Sequence, residues 1–182
     1  MFKAILSHKD LSLESEYYSY VRDLLSDRTV LSLGNFRHHI GTTRFQHSLN
    51  VSYYNFRLCK LLHLNARSAA RAGLLHDLFF YDRKNHEKIM RSHSEEHAVT
   101  ALYNASEMFP INELEGDMII NHMWPMTRRL PRHRETYIIT LVDKFCAVAE
   151  VMVSALSFTR RKMKYASAFA IMLMLNLFSQ LG

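Results

Sequence analysis

The sequence predicts an all-α protein, a single helical bundle carrying an additional apolar helix at its C-terminal end. Three observations lead there. Apolar residues recur three and four apart along each long segment, the spacing that gathers them on one face of a helix. Five glycines and three prolines in 182 residues leave those segments uninterrupted and are too few for the turns of a hairpin-rich fold. The length suits one domain with a substantial core rather than two.

The first helix is expected over about Leu11 to Ser26, where Tyr17, Tyr20, Val21, Leu24 and Leu25 mark an outer packing face. A second begins near Thr42-Thr43 and carries His47, Val51, Tyr54, Leu58 and Leu61 on one stripe, which turns His47 inward. Asn65 is a plausible N-cap for a helix from Ala66 to Phe80, in which Ala69, Gly73 and His76 share a face and the small residues allow close packing. The polar stretch Tyr81 to Arg91 reads as a loop. A helix from about Ser94 to Met108 follows and is stopped by Pro110.

Asn112 and Glu115 have the spacing of a capping box and start a short helix ending near His122. Trp124-Pro125 breaks the pattern, and Met126 to Arg132 forms a basic loop. The long helix expected from about Pro131 to Ser154 lines up Ile139, Asp143, Cys146 and Ala147. A final helix is expected over Tyr165 to Leu181. Its apolar run is interrupted by Ser167, Asn176, Ser179 and Gln180, so a packing or dimerisation helix is preferred to a membrane span. Contact with a membrane surface is the alternative use of such a helix. The resulting division is a bundle over residues 1–158 and a C-terminal helix over 159–182.

Lys+Arg 23 against Asp+Glu 17 give a formal charge of +6, which favours anionic partners without choosing among them. The positive charges are scattered and no aromatic-basic motif accompanies them, so a stable nucleic-acid partner is not expected. Cys59 and Cys146 lack metal-type spacing, and the amino terminus lacks a sustained apolar segment. A reducing cytoplasm is the expected setting.

The sharpest feature is an acid where apolar residues dominate, His76-Asp77 within Gly73-Leu74-Leu75-His76-Asp77-Leu78-Phe79-Phe80. Removing a lone carboxylate from water costs many kcal/mol unless a cation meets it, and a metal ion is the usual partner. Asp143 repeats the anomaly within the long helix. His47 and His122 sit against apolar residues, and His93 and His97 form a pair four apart, on one helical face. Imidazole and carboxylate donors without thiolate suit Fe, Mn, Zn or Co, one or two ions.

The segments Arg44-Phe45-Gln46-His47-Ser48, Ala72-Gly73-Leu74-Leu75-His76-Asp77 and Leu141-Val142-Asp143-Lys144, in this order, resemble the HD-domain metal-dependent phosphohydrolases over roughly Arg44 to Glu150. The additional histidines resemble the family's two-metal branch, which includes dinucleoside-tetraphosphate hydrolases and cyclic-dinucleotide phosphodiesterases. That resemblance implies one ion held by His47, His76, Asp77 and Asp143, with Asp77 bridging to a second held by His93 and His122. The Gly-Tyr-Pro motif of the cyclic-di-GMP branch is absent, which disfavours that substrate. His97 stands where a small residue is common in similar proteins.

The expected reaction is hydrolysis of a nucleotide or other small phosphate ester by a metal-activated water, with Asp77 at its centre. His97 and His86 are candidates for handling protons; either His93 or His97 could instead reach the metal while the other lies beside the ligands, donates a proton or stays at the surface, and His86 could instead touch substrate. Arg44, one turn before His47, Lys144 beside Asp143, and Arg128 with Arg129 are candidates for neutralising phosphate. His8, His38, His39, His63 and His133 are expected to be structural or exposed. Two competing readings use the same donors: a di-iron oxygenase on this scaffold, and a non-catalytic nucleotide sensor or adaptor stabilised by metal. A homodimer through the terminal helix is compatible with all three.

Overall fold

The computed structural model describes residues 15–38, 41–81 and 92–180, and these form seven α-helices and one 3₁₀ turn. The helices are α1 Ser15–Ser26, α2 Arg28–Ser32, α3 Arg44–Leu61, α4 Ala66–Leu75, α5 His93–Met108, α6 Glu113–Asn121 and α7 Arg134–Gln180, with the 3₁₀ turn at Leu33–Asn35. Among the described residues none forms a strand; a lone antiparallel bridge joins Arg37 to Thr43 ahead of α3. The protein is all-α, as its apolar spacing requires.

Helix α3 is the hub. It lies against α4, α7, α2 and the 3₁₀ turn, and α4 in turn meets α1 and α6. The expected inward stripe of α3 was too narrow and drifted outward: Leu61 is 73% exposed, whereas Arg44, Ser48, Leu49, Asn50, Ser52, Asn55, Phe56 and Cys59 are buried along with His47 and Val51. A helix surrounded on several sides buries polar residues too, and each then needs a partner. Ser52 Oγ donates to Ala70 O at 2.6 Å, and Asn55 Nδ2 to Ala69 O at 2.9 Å, so side chains of α3 bond the backbone of α4. Tyr17 of α1 joins the same network, its hydroxyl 2.8 Å from Ser52 Oγ.

These bonds demand a close approach of α3 and α4, and Gly73 permits it. A Cβ at Gly73 would lie 2.6 Å from Ser52 Cα and 2.8 Å from Ser52 N, both backbone atoms. The apolar core fills the space on either side, with Val21, Leu24, Leu49, Phe56, Leu74, Leu75, Met118 and Ile119 essentially inaccessible.

Local signals set the helix starts. Asn65 caps α4 through Ser68 N, Ser92 caps α5 through Glu95 N, and Asn112 with Glu115 forms a complete capping box on α6. The start of α7 is fixed from a distance instead. Asp117 of α6 accepts hydrogen bonds from Arg132 N at 3.0 Å, His133 N at 3.3 Å and Thr136 Oγ1 at 2.5 Å.

Two boundaries differ from expectation. Helix α4 ends at Leu75 rather than Phe80, so His76 is its C-cap and Asp77 lies just beyond it. The chain from Arg134 to Gln180 is a single helix, so the helix expected over Tyr165 to Leu181 is the C-terminal part of α7 rather than a separate element. Residues 155–164 contain neither glycine nor proline, and Arg160, Arg161, Lys162, Met163 and Lys164 are all good helix formers, so nothing interrupts the backbone ladder. No helix among the described residues is long and apolar enough to cross a membrane. On α7, Leu141, Phe145, Val148 and Met152, spaced four, three and four apart, are all more than half exposed.

Gly73→Ala is expected to force α3 and α4 apart and to destabilise the protein by about 1–3 kcal/mol, the usual cost of overpacking. Thermal unfolding followed by circular dichroism reads this as a fall of about 2–4 °C per kcal/mol.

Candidate metal centre

Four imidazoles converge on the ends of α3, α4, α5 and α6, and each is oriented by a bond made on its far side. His76 and His122 are the C-caps of α4 and α6. Each turns its Nδ1 back to the carbonyl three residues earlier, Gly73 O at 2.9 Å and Ile119 O at 2.7 Å. His97 does the same within α5, its Nδ1 2.7 Å from His93 O. A carbonyl only accepts, so each Nδ1 carries a proton and each Nε2 faces the centre, where it offers a lone pair whenever the ring is neutral. In α3, His47 Nδ1 lies between the two carboxylate oxygens of Glu150, at 3.2 and 3.1 Å, and Asn50 Nδ2 donates to the same carboxylate. Its Nε2 faces Asp143 Oδ1 at 3.0 Å.

Asp77 sits between these rings at 3% exposure, and its two oxygens face different neighbours. Oδ1 lies 3.6 Å from His97 Nε2 and 3.9 Å from His122 Nε2. Oδ2 lies 3.8 Å from His76 Nε2 and 3.5 Å from His38 Nδ1. Main-chain bonds hold the segment that follows. Arg44 Nη1 donates to Phe79 O and Nη2 to Tyr81 O at 3.2 Å, while Asn104 Nδ2 reaches Leu78 O at 2.8 Å.

The donors present fit a divalent cation. His76 Nε2 is buried with no hydrogen-bond partner among the described residues, and Asp143 Oδ1 is 3.7 Å away, beyond hydrogen-bond reach. His97 Nε2 and His122 Nε2 stand 3.0 Å apart. Two lone pairs at that distance repel unless a proton or a cation lies between them, and two nitrogens each about 2.1 Å from one ion at a right angle are about 3.0 Å apart. His47, His76 and Asp143 form one group of donors close enough to share an ion, and His76, Asp77 and His122 form another.

Electrostatics follow from this crowding. Burial opposes ionisation of Asp77, yet the rings of His76, His38, His97 and His122 more than reverse it and hold the carboxyl far below the usual carboxylate range. Burial likewise opposes charge on His47, and the bonds to Asp143 and Glu150 override it, raising the imidazole to about 10. His122 goes the other way: burial, with the adjacent His76 and His97 rings, pushes it down to about 3. A ring held neutral beside a buried carboxylate suits a ligand.

Of the expected site residues, the structure brings together His47, His76, Asp77, His97, His122 and Asp143. His93, expected as a ligand, offers its carbonyl to His97, stacks on that ring at 5.3 Å and lines the adjoining cavity; the nitrogen facing His122 and Asp77 belongs to His97, expected as a proton-handling group. The reason is helical register, since the four-residue step places only one of the two rings at the level of His122. Arg44 is buried, donates to the carbonyls after Asp77 and stacks 3.6 Å from the Phe79 ring centre, so it braces the His-Asp segment. Lys144 lines the cavity, and its Nζ approaches His122 O at 3.4 Å and Thr140 O at 3.3 Å. Arg128 is exposed and Arg129 lines a different cavity beside Asp117. His86 lies outside the described residues.

Three contributors were not foreseen. Glu150 is two helical turns after Asp143 on the same face of α7, and that seven-residue spacing was the available signal. Asn50, one turn after His47, shares its carboxylate. His38, expected to be structural or exposed, comes from an irregular segment where periodicity says nothing.

The HD domain family model matches residues 44–148. The chain therefore belongs to the HD-domain superfamily of metal-dependent phosphohydrolases. No curated protein matches the chain, and neither does any solved structure.

Two outcomes test the centre. Glu150→Gln leaves every inward-facing donor in place but loosens His47, and it is expected to lower metal affinity about 10–100-fold, measured by equilibrium dialysis with elemental analysis. Metal loading near pH 7 is expected to release a proton from His47, because a group whose value is raised to about 10 is protonated below that pH. Calorimetry in two buffers of different ionisation enthalpy reads the release, which declines as pH rises through about 10.

Proposed function

We propose that this protein is a phosphohydrolase that cleaves a small phosphate ester, with nucleotides the first class to test, using water activated at the histidine–aspartate centre. The observation that carries the reading is Asp77, whose two oxygens face separate sets of inward-pointing imidazole nitrogens. His47, His76, Asp77 and Asp143 would hold one divalent ion, and Asp77, His97 and His122 a second. Bound divalent ions supply an activated water and polarise a phosphoryl oxygen.

The remaining work falls to the chain's own residues. A cavity of about 360 Å³ opens onto the centre, within the range of small-molecule sites. Lys144 and Arg37 on its wall contribute positive charge for the phosphate, the role that Arg44 gives up by bracing the backbone. Phe79, Met123, Met126 and Ala147 line the same cavity and suit the less polar part of an ester. His93, on that wall, is the group we assign to donating a proton to the leaving oxygen.

Purified without chelator, the protein is expected to carry a divalent metal and to release phosphate from one member of a panel of nucleotides and small phosphate esters. Asp77→Ala is expected to lose most of the metal and at least about 10³-fold in rate while keeping its helical circular dichroism. Oxygen uptake without phosphate release would establish the oxygenase reading in its place. Tight nucleotide binding with no turnover after full metal loading would establish a sensor.

A further inference from the structure

Ahead of α3 the described residues 36–38 pair with residues 42–44 as the two arms of a short hairpin. His38 N bonds Thr42 O at 3.0 Å, Arg44 N bonds Phe36 O at 2.8 Å, and Arg37 bridges Thr43. Gly41, with φ +86°, is pressed against α7, and a Cβ there would lie 2.6 Å from Ser154 Oγ. Glycine alone meets both demands easily, the left-handed backbone and the close approach. The hairpin is thereby seated on the same helix that supplies Asp143 and Glu150.

Its side chain at position 38 reaches the centre. The His38 ring stacks on His47, with centroids 4.0 Å apart and planes at 27°, and its Nδ1 is 3.5 Å from Asp77 Oδ2. Donor atoms of His38, His47 and Asp77 all lie within 4.8 Å of one another. As a hydrogen bond, 3.5 Å is poor. As the separation of two donors on one ion it is ordinary, because atoms each about 2.1 Å from a metal are about 3.0 Å apart at 90° and about 3.6 Å apart at 120°, the angles of a five-ligand site.

We propose that His38 is a further protein ligand to the ion held by His47, His76, Asp77 and Asp143, delivered by the hairpin rather than by the helical bundle. The inference rests on the metal-centre reading above and adds to it a donor from a different part of the chain. With a side chain 19% exposed, His38 is more accessible than the other four imidazoles, so the strength of metal binding depends on how the hairpin is seated as well as on the bundle.

The test uses cobalt(II) added to the metal-free full chain, with affinity read by calorimetry and ligand geometry by visible absorption. His38→Ala is expected to weaken binding at one ion at least about tenfold and to change the absorption bands, with helical circular dichroism retained. His38→Asn keeps an N–H able to donate to Asp77 but ligates poorly, so it is expected to show the same loss. Gly41→Ala, which alters no donor side chain but displaces the hairpin that carries His38, is expected to weaken binding in the same direction. Unchanged affinity and absorption in His38→Ala, or their full recovery in His38→Asn, overturns the proposal and leaves the bundle's own metal centre standing. Failure of the unsubstituted protein to take up cobalt overturns both.

Discussion

A carboxylate at 3% exposure, set among imidazoles whose Nε2 atoms face inward, is the constraint around which this bundle is organised. A buried acid is tolerated only with compensating positive charge and full hydrogen bonding. Asp77 obtains neither from lysine or arginine. Arg44, the buried cation close in space, directs its guanidinium to the carbonyls of Phe79 and Tyr81 instead. The centre therefore gathers carboxylates and imidazoles together, an arrangement that apolar packing alone would select against and that a divalent cation stabilises.

Secondary structure supplies the aiming. Helices α4 and α6 each end in a histidine that bonds its own last turn, a local solution to unsatisfied C-terminal carbonyls that also projects Nε2 outward along the helix axis. Helix α5 aims His97 through an internal carbonyl, and α7 aims His47 through Glu150. Because these orienting bonds use backbone or a long-range carboxylate, the rings are fixed before any ligand arrives, which reduces the reorganisation that binding requires. The close seating of Gly73 on Ser52 belongs to the same arrangement, since it sets the height of His76 relative to His47.

Much of this was legible in the chain and the remainder was hidden for identifiable reasons. An acid amid apolar residues is a local signal, so Asp77 and Asp143 stood out, and the capping chemistry of Asn65 and Asn112 fixed the starts of α4 and α6. The choice between His93 and His97 needed the rotation of α5 about its axis, a tertiary quantity. Arg44 looked like an anion-binding residue because its sequence position beside His47 is clear while its burial is not. Asp117, which seats the start of α7, left no mark in its own neighbourhood because its partners lie 15 to 19 residues away. The single helix from Arg134 to Gln180 was divided on composition, although hydropathy changes along a helix need not interrupt it.

The charge balance of the centre bears on which molecules it attracts. Asp77, Asp143 and Glu150 bring three negative charges to one region, and without cations that region would repel a phosphate despite Lys144 and Arg37 on the cavity wall. One divalent ion leaves the three carboxylates under-compensated, whereas ions on both sides of Asp77 reverse the sign locally and add to those two side chains. On the proposed reading, affinity for an anionic ester is a consequence of metal loading rather than of the chain's overall charge of +6. If Asp77 bridges two ions as proposed, their occupancies are interdependent, since each ion lowers the cost of burying the carboxylate that the other requires.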